Sequence, residues 1–436
     1  MIRRLDARSL GVAGVIRALE RSPSTVDPGI RRRVAEILAA VRDKGDAALL
    51  EFTERFDGVS LTAEELAVGP AEYDAAEGRL GEATVRSLRY AAERIERFHR
   101  ACAPRSWSMR DANGSRLGQE VRPLGRVAVY VPGGRAAYPS TVLMTVVPAR
   151  VAGVRDIVLA SPPARDKSLD PAVLVAARIA GVTEAYRVGG AQAIAALAFG
   201  TETIRRVDKI VGPGNIYVAL AKSQVFGEVG IDMVAGPSEV VVVADESADP
   251  AFVAADLLAQ AEHDPMARAV LLTDSARLID EVAAEALRQL ARLPRREIAR
   301  SALEAGGALV LTSSLDEAIL VANGLAPEHL ELLVTDPGAL LPRVQSAGAV
   351  FLGRFTPEVV GDYVAGPNHV LPTAGTARFA SALCTDDFVK RLSVIEYSAE
   401  GLREAGPHVA ELSRVEGLDG HGAAATVRLT GAGGTA

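Results

Sequence analysis

A glutamine and a histidine lie three residues apart, at Gln260 and His263, within residues 250–269, where apolar residues recur with helical spacing. Three helical residues rise roughly 4.5 Å, so both side chains on one face can reach a single metal ion. The same pair also fits a solvated helix end, and two ligands do not hold a metal. The pattern therefore predicts half of a metal site, which needs further ligands from elsewhere in the chain.

A second candidate is the adjacent pair Glu328 and His329, which precedes a strand predicted at residues 330–334. A histidine with an ordinary pKa near 6.5 accepts a proton at neutral pH and passes it on. Together with a neighbouring carboxylate it suits two successive proton transfers. An exposed Glu-His pair without a function is the alternative interpretation.

Two more combinations of a carboxylate and a histidine occur towards the C-terminus. Asp362 and His369 lie in a loop rich in glycine and proline, and Glu416 and His421 lie near the end of the chain. His369 and His421, like His263 and His329, therefore occupy loop or helix-end positions. The remaining histidines, predicted to be solvated in charged helical segments, are His99 and His408.

The composition of the chain limits its class. The 436 residues are 49% hydrophobic and 24% charged, which is ordinary for a folded enzyme with two or three domains. A net charge of −7 argues against nucleic acid or an anionic membrane surface as the main partner. Cys102 and Cys384 are the only cysteines, too few for a disulfide framework. No apolar stretch approaches a membrane span, and we expect a soluble, cytoplasmic protein.

Short β-branched segments alternate with helical ones from Arg126 onward. The predicted strands are 127–131, 156–160, 185–188, 209–211, 239–244, 269–273, 308–312, 330–334 and 349–352. Alternation at this spacing requires crossover connections, which predict mostly parallel sheets. The predicted fold class is α/β, with two Rossmann-like parallel-sheet units, N-terminal helices and a small helical C-terminal tail.

The domain organisation follows from these elements. The predicted segments are an N-terminal helical segment (1–125), a first Rossmann-like domain (126–236), a second one (237–384) and a C-terminal tail (385–436). Long helices are predicted at 30–56 and 85–102 in the N-terminal segment, which we expect to pack on the second α/β unit. The tail is too small to form a core alone.

Glycine clusters follow three predicted strands of the first domain, at residues 131–134, 188–192 and 211–215. Ligands of open parallel sheets bind at the carboxyl ends of the strands, where glycine lets the backbone approach and helix N-termini face anions. None of the clusters contains a full G-x-G-x-x-G sequence, and each alone is equally an ordinary turn. Three in one half of the chain favour a nucleotide or another phosphate-bearing ligand.

Residues 231–239 and 256–264 together resemble the signature region of the histidinol dehydrogenase family. Further agreement comes from the loop 361–369 with 371–373, from Glu328 and His329, and from Glu416 and His421. The resemblance covers most of the chain. It implies an NAD-dependent oxidation of L-histidinol through L-histidinaldehyde to L-histidine, the last steps of histidine biosynthesis. The first Rossmann-like domain would bind NAD, and the second would carry the metal and the catalytic residues.

The resemblance also implies a ligand set with one zinc ion per subunit. The zinc ligands would be Gln260, His263, Asp362 and His421. These four and His329 would contact the substrate, as would Ser238, His369 and Glu416. The NAD contacts would be Tyr130, Gln192 and Asn215. Zinc would hold the imidazole and amine of the substrate rather than activate water.

The catalytic roles implied by the resemblance fall on the adjacent pair. His329 would take the alcohol proton as hydride leaves for the nicotinamide, and Glu328 would activate the water that adds to the aldehyde. His329 would then take a proton from the hydrate in the second oxidation. The tail that carries Glu416 and His421 would come from the neighbouring subunit of a domain-exchanged homodimer.

Other functions stay open at this point. A relative on the same scaffold would oxidise another polar alcohol, such as a sulfonated diol. A non-catalytic metal-binding α/β protein would leave Glu328 and His329 without a role. An aldehyde dehydrogenase with a cysteine nucleophile is disfavoured, because neither cysteine has a suitable base and loop around it. The nitrogen and oxygen ligands would also accept cobalt or manganese.

Overall fold

The structure is a computed structural model that describes residues 2–20, 27–133, 137–234 and 236–430. The chain forms two compact units. The first comprises Met1–Cys102 and Leu124–Phe388, and the second comprises Ala103–Pro123 and Val389–Ala436. Within the described ranges, no helix is both long and apolar enough to cross a membrane.

The elements of the first unit alternate between strands and helices over most of its length. Its strands are β1 (Arg3–Asp6), β4 (Arg126–Tyr130), β5 (Asp156–Ser161), β6 (Glu184–Arg187), β7 (Lys209–Val211), β8 (Gly230–Ile231), β9 (Glu239–Ala244), β10 (Arg268–Thr273), β11 (Ala308–Leu311), β12 (His329–Leu333) and β13 (Ala349–Leu352). Its helices are α1 (Ala7–Leu19), α2 (Pro28–Lys44), α3 (Asp46–Asp57), α4 (Pro70–Arg79), α5 (Glu82–Ala101), α6 (Pro139–Val151), α7 (Pro171–Ala180), α8 (Gly190–Phe199), α9 (Ile216–Val225), α10 (Pro250–Ala261), α11 (Ala276–Leu290), α12 (Arg296–Gly306), α13 (Leu315–Leu325), α14 (Pro337–Leu340) and α15 (Glu358–Tyr363). Short 3-10 turns occur at Leu341–Arg343, Thr376–Arg378 and Thr385–Phe388.

The first sheet contains five parallel strands in the order β6-β5-β4-β7-β8. Side chains of a strand point alternately to its two faces, and in β4 both faces are buried. Val127 and Val129 contribute to the core that contains α6 and α7, while Ala128 and Tyr130 contribute to the core that contains α8 and α9. Burial on both faces accounts for the continuous apolar runs from which these strands were predicted.

The second sheet contains six parallel strands in the order β1-β11-β10-β9-β12-β13. Its central strand β9 again buries both faces: Val240 and Val242 belong to the core with α10, α11 and α12, and Val241 and Val243 to the core with α1 and α13. The two Rossmann-like units predicted from the sequence are therefore confirmed as α/β layers around parallel sheets.

The predicted packing of the N-terminal segment is wrong for most of its length. Among the described residues of this segment, β1 and α1 join the second sheet, where β1 pairs with β11 and α1 packs against α13. Helices α2 and α3 pack against α8, and α4 and α5 against α7, all on the first sheet. The apolar face of α2, with Val34 and Ile37, is buried in that core.

The long helix predicted at residues 30–56 is two helices, α2 and α3, separated at Gly45. Gly45 has φ 53°, which lies in the left-handed region that favours glycine. An added Cβ there would also collide with the Glu202 carboxylate. The apolar periodicity continues through the break, and so the sequence pattern did not reveal it.

The second unit contains a three-stranded antiparallel sheet and a pair of helices. The strands β2 (Trp107–Arg110), β3 (Arg116–Pro123) and β14 (Val389–Glu396) are ordered β14-β3-β2, and α16 (Ala399–Glu416) packs against α17 (Asp419–Thr430). The predicted small helical tail at 385–436 is present as α16 and α17, and it also contains the strand β14, which was not predicted. Residues 103–123, assigned to the N-terminal helical segment, supply β3, which pairs with β14, and β2, which pairs with β3.

His99 is buried in α5 rather than solvated as predicted, and burial lowers the pKa of its imidazole to about 4. The unfolded chain takes up a proton on His99 near pH 6.5, whereas the folded chain does so only near pH 4. The contribution of this group to the free energy of unfolding is therefore fully present above pH 6.5 and is lost as the pH falls towards 4. We expect His99→Leu to remove about 3 kcal/mol of this pH dependence. Denaturant unfolding at pH 7.5 and pH 4.5 measures it, and identical pH dependence in both proteins would contradict the assignment.

Candidate active site

The acid–base cluster lies at the amino edge of the second sheet. His329 is the first residue of β12, Glu328 precedes it, and Ser238 precedes the first residue of β9. Helix α10 connects β9 to β10 and runs antiparallel to them, so it ends at this same edge. Helix α15 follows β13, and its Asp362 Oδ1 lies 3.9 Å from Nε2 of His329. Gln260 and Asp362 lie in the last turns of these two helices. The carbonyl ends of two helices therefore face the cluster, which favours a bound cation.

His329 is held in one orientation by backbone and carboxylate groups. Its Nδ1 lies 3.2 Å from the carbonyl oxygen of Glu239, so the tautomer with a proton on Nδ1 donates to that oxygen. The other ring nitrogen, Nε2, lies 3.9 Å from Oδ1 of Asp362. Burial lowers the pKa of His329 to about 4, although the Asp362 carboxylate opposes this shift. The imidazole is thus neutral at pH 7, with Nε2 available to accept a proton.

Glu328 is fixed by two donors at the start of β9. Its Oε2 accepts a hydrogen bond from the backbone N–H of Glu239 at 3.0 Å, and it also interacts with the Ser238 hydroxyl. Burial, together with the nearby Glu239 and Asp362 carboxylates, raises the pKa of Glu328 well above its ordinary value. The chain reaches this pair through Ala326, whose φ of 47° is uncommon for alanine and marks a strained turn.

Asp362 connects this pair to two further histidines. Its backbone carbonyl lies 2.9 Å from Nδ1 of His369, and its carboxylate raises the pKa of both His329 and His369 against the larger effect of burial. His263 lies close enough to act electrostatically on both of those imidazoles. The structure therefore places Asp362, His263, His329 and His369 near one another.

Gln260 and His263 occupy the end of α10, not the middle of a helical run. The helix ends at Ala261, and the N–H of His263 donates to the carbonyl of Gln260 at 3.3 Å in a following turn. The prediction that both lie on one helix face is wrong, because the helix stops before His263, yet the turn keeps them three residues apart. Gln260 is 0% exposed and neither amide atom has a hydrogen-bond partner among the described residues.

An orphaned buried amide is the strongest sign of a ligand at this edge. Buried polar groups in native proteins almost always have a partner, and the rare exceptions indicate an ion or another missing group. The carboxylate of Asp362 and the imidazole of His263 complete a set of oxygen and nitrogen donors that suits zinc. The residues present in the first unit therefore fit the predicted metal site.

The two predicted tail residues lie in the second unit. Glu416 is the last residue of α16, and His421 lies in the first turn of α17. Both side chains are exposed within that unit. Their predicted roles at the metal and the substrate stay predictions. The last residues of the predicted tail, 431–436, lie outside the described part of the chain.

The residues predicted to contact NAD lie at the carboxyl edge of the first sheet. Tyr130 ends β4, and its buried hydroxyl accepts a hydrogen bond from the N–H of Gly190, at the start of α8, at 3.1 Å. Asn215 caps α9, with Oδ1 accepting from the N–H groups of residues 217 and 218. Gln192 is 1% exposed, and its Nε2 lies 3.4 Å from Asp57. Gly134, from the first predicted glycine cluster, lies outside the described residues.

Asp57 is a carboxylate near this edge that the sequence did not single out. It is the last residue of α3, in the N-terminal segment, and burial raises its pKa to about 6. Its charge acts on Tyr130 as well as contacting Gln192. The sequence offers no signal for this placement, because the helix that carries Asp57 was expected on the other sheet.

A buried ion pair fixes the third glycine cluster, residues 211–215. Lys222 of α9 and Asp232 form an ion pair with side chains 3% and 1% exposed. Asp232 accepts from the N–H of Gly212 at 2.8 Å, and Lys222 donates to the Gly212 carbonyl at 2.9 Å. Gly212 has φ 112°, and a Cβ there would collide with the Tyr130 carbonyl. The loop is thus rigid and requires glycine.

Replacing Lys222 by methionine should destabilise the fold by about 3–5 kcal/mol, because the Asp232 carboxylate would stay buried without its counter-charge. The matched control is Lys167→Met, which removes an exposed pair with Glu65 and should change stability by less than about 1 kcal/mol. Denaturant unfolding of both variants measures the difference. Equal effects would contradict a buried, uncompensated Asp232.

Three buried carboxyl groups near His329 were not predicted. Glu358 has Oε1 3.6 Å from Nδ1 of His329, and His329, Glu358 and Asp362 place their polar atoms within 4.8 Å of one another. Glu331 and Asp256 lie behind them, and burial raises the pKa of all three acids. Single acids in apolar surroundings carry no spacing signal, which is why the sequence did not reveal them.

Neither cysteine supports covalent catalysis. Cys102 is exposed, and its thiol approaches the carbonyl of His99 rather than a base. Burial raises the pKa of the Cys384 thiol, which disfavours the thiolate that a nucleophile requires.

The profile of the family described as histidinol dehydrogenase matches residues 20–429. The chain belongs to the histidinol dehydrogenase family. It is 57% identical to the histidinol dehydrogenase of Geobacillus kaustophilus over 399 residues, 92% of this chain and 94% of that protein. It is 55% identical to the histidinol dehydrogenase of a Synechococcus strain over 396 residues, covering 91% of each.

A solved structure agrees with this family over nearly the whole length. The chain superposes on the histidinol dehydrogenase of Elizabethkingia anophelis with a TM-score of 0.93 and 35% sequence identity, covering 99% of this chain and 98% of that one. The matched residues therefore include those of both α/β layers of the first unit and those of the second unit. The chain is an oxidoreductase of the histidinol dehydrogenase family.

Proposed function

We propose that the chain oxidises L-histidinol through L-histidinaldehyde to L-histidine in two NAD-dependent steps, with one zinc ion per subunit. The observation that carries this proposal is the cluster at the amino edge of the second sheet. There the neutral imidazole of His329 and the buried carboxyl of Glu328 lie near Asp362. Gln260, in the last turn of α10 at the same edge, has a buried amide without a partner among the described residues. A base, a second proton acceptor and a cation site at one edge suit an alcohol oxidation followed by an aldehyde oxidation.

The proposed zinc ligands are Gln260, His263, Asp362 and His421. The first three lie at the ends of α10 and α15, and His421 belongs to the second unit. When bound, zinc would supply a template for the imidazole and amine of the substrate and a charge that favours the ionised form of nearby carboxyls. Ser238, His369 and Glu416 are the further residues proposed to contact the substrate.

His329 is the proposed base of both oxidations. In the first, Nε2 would take the hydroxyl proton while a bound nicotinamide would serve as the acceptor of the hydride from the carbinol carbon, giving the aldehyde. After Nε2 has released this proton to solvent, it would take a hydroxyl proton of the aldehyde hydrate in the second oxidation, which gives the carboxylic acid as a second nicotinamide accepts the hydride. The contact of Nδ1 with the Glu239 carbonyl supports this role, because it keeps the accepting nitrogen turned towards Asp362.

Glu328 is the proposed base for the water that adds to the aldehyde. This role requires an ionised carboxylate, whereas burial favours the protonated form in the chain alone. A divalent cation at the neighbouring Asp362 would lower the pKa of Glu328 and so make the carboxylate available. The donors at Glu239 and Ser238 would hold it in place during both steps.

The proposed NAD contacts are Tyr130, Gln192 and Asn215. All three lie at the carboxyl edge of the first sheet, where open parallel sheets bind nucleotides. The rigid loop at Gly212 lies at the same edge. We also propose a homodimer in which the tail bearing Glu416 and His421 completes the site of the neighbouring subunit, so that dimerisation is a condition of activity.

The main alternative to this proposal is a different substrate, another polar alcohol such as a sulfonated diol. NADH formation should be measured with L-histidinol and, in parallel, with a sulfonated diol of similar size. We expect turnover of L-histidinol and none above background with the diol. Turnover of the diol alone would replace the proposed substrate with another polar alcohol on the same scaffold.

A further inference from the structure

Two buried carboxyl groups behind the acid–base cluster have no role in the proposed chemistry. Glu331 of β12 is 0% exposed and Asp256 of α10 is 7% exposed. Their side chains interact as an acid pair, and this contact raises the pKa of Glu331 while it opposes the rise that burial causes at Asp256. Two carboxyl groups in contact in a buried site favour sharing one proton, because two adjacent carboxylates would repel strongly.

This acid pair touches the elements that carry the proposed site. Glu331 lies two residues after His329 in the same strand, and therefore on the same side of it. Its Oε1 accepts a hydrogen bond from the backbone N–H of Glu358 at 2.7 Å. Glu358 is the first residue of α15, and Asp362 follows one turn later. The strand with the proposed base is thereby joined to the helix with one proposed metal ligand.

Asp256 adds a third element, helix α10, to this set of contacts. It lies in α10 one turn before Gln260, so the two side chains share a side of the helix. The acid pair thus joins α10 to β12, and β12 to α15. These three elements carry Gln260, His329 and Asp362.

Helix α15 depends on this contact more than a longer helix would. It has six residues, and its N-cap is Pro357, which makes no side-chain capping hydrogen bond. Short helices are marginal alone, and their first N–H groups need partners outside the helix. Glu331 supplies such a partner from the neighbouring strand.

We propose that Glu331 and Asp256 are positioning residues that hold α10, α15 and β12 in register, so that Gln260 and Asp362 bind one zinc ion beside His329. This inference rests on the proposed function. A pair that only stabilised the fold would affect unfolding and leave zinc affinity of the folded protein unchanged.

The test compares Glu331→Leu with Glu331→Gln in the full-length protein. Glutamine keeps both contacts, since its amide oxygen accepts from Glu358 and its NH2 group donates to Asp256, whereas leucine removes both. Residues that orient metal ligands typically contribute about 10- to 100-fold to metal affinity. We therefore expect Glu331→Leu to weaken zinc binding by about that factor and to lower kcat, and Glu331→Gln to stay within about 3-fold of the parent.

The matched control is Thr53→Val, which removes a buried hydrogen bond to the Leu49 carbonyl within α3 and lies far from the site in sequence. It should leave zinc affinity unchanged. Zinc binding is measured by competition with a chromophoric chelator, and hydrogen exchange of the amides of α15 is measured in metal-free protein. We expect exchange in α15 to rise in Glu331→Leu and not in Glu331→Gln or Thr53→Val.

Unchanged zinc affinity and unchanged exchange in Glu331→Leu would overturn the inference, as would equal damage from leucine and glutamine. If Glu331→Leu does not fold, Asp256→Ala replaces it, with Asp256→Asn as the restoring variant and the same readouts. Failure of the proposed function is distinct. If the parent protein binds no zinc, the metal assignment is wrong, and the exchange measurement still decides whether Glu331 holds α15.

Discussion

Replacing Glu328 by glutamine should slow the oxidation of histidinaldehyde far more than the oxidation of histidinol. The first step needs only the base at His329, whereas the second needs a water molecule activated by Glu328. A positioned general base contributes about 100- to 10,000-fold. We expect a loss in that range for aldehyde oxidation and a loss of less than about 10-fold for alcohol oxidation.

The fold should tolerate this substitution. The amide oxygen of glutamine replaces Oε2 and accepts the hydrogen bond from the Glu239 N–H. The measurement is single-turnover NADH formation with each substrate supplied separately. His329→Gln is the matched comparison, because loss of the shared base should slow both steps together. Equal slowing of the two steps by Glu328→Gln would contradict the division of roles.

Removing the metal should abolish activity, and adding zinc should restore it. The accompanying variant is Gln260→Leu, since the Gln260 amide has no partner among the described residues. Its removal costs no hydrogen bond within the chain and relieves a buried unsatisfied group, so the metal-free variant should be as stable as the parent or more stable by about 1–3 kcal/mol. We expect zinc binding and activity to be lost together.

The readouts are zinc content, NADH formation and denaturant unfolding of the metal-free protein. Gln289→Leu on α11 serves as the control, because Gln289 donates to the Ala251 carbonyl at 2.9 Å and its loss should lower stability without affecting zinc. Full activity in metal-free parent protein, or unchanged zinc binding in Gln260→Leu, would refute the proposed ligand set.

The strands of both sheets were predictable because parallel strands are buried on both faces and read as apolar runs. The strand predicted at residues 349–352 coincides with β13, and the strand predicted at 269–273 begins one residue later than β10. β1 was missed because its four residues, Arg3–Asp6, include three charged side chains and only one apolar residue. In the second unit, β14 and its partner β3 lie far apart in sequence, and β2 is exposed throughout, so these antiparallel strands gave no apolar run to predict them from.

The site was predictable where chemistry shows in spacing, as for Glu328 and His329. It was not predictable where an acid lies alone in an apolar run. Glu331, between Leu330 and Leu332, reads as the exposed position of a half-buried strand, yet β12 is buried throughout. The edge that carries each group also depends on chain direction in the folded sheet, which spacing does not reveal.

The central claim is a four-electron oxidation, and the stoichiometry of NADH formation tests it most directly. A limiting amount of L-histidinol should be consumed completely by the zinc-loaded protein with excess NAD, and the products quantified. We predict two NADH per L-histidinol, with L-histidine as the product. One NADH per L-histidinol with accumulation of the aldehyde, or no NADH at all, would contradict the proposed function.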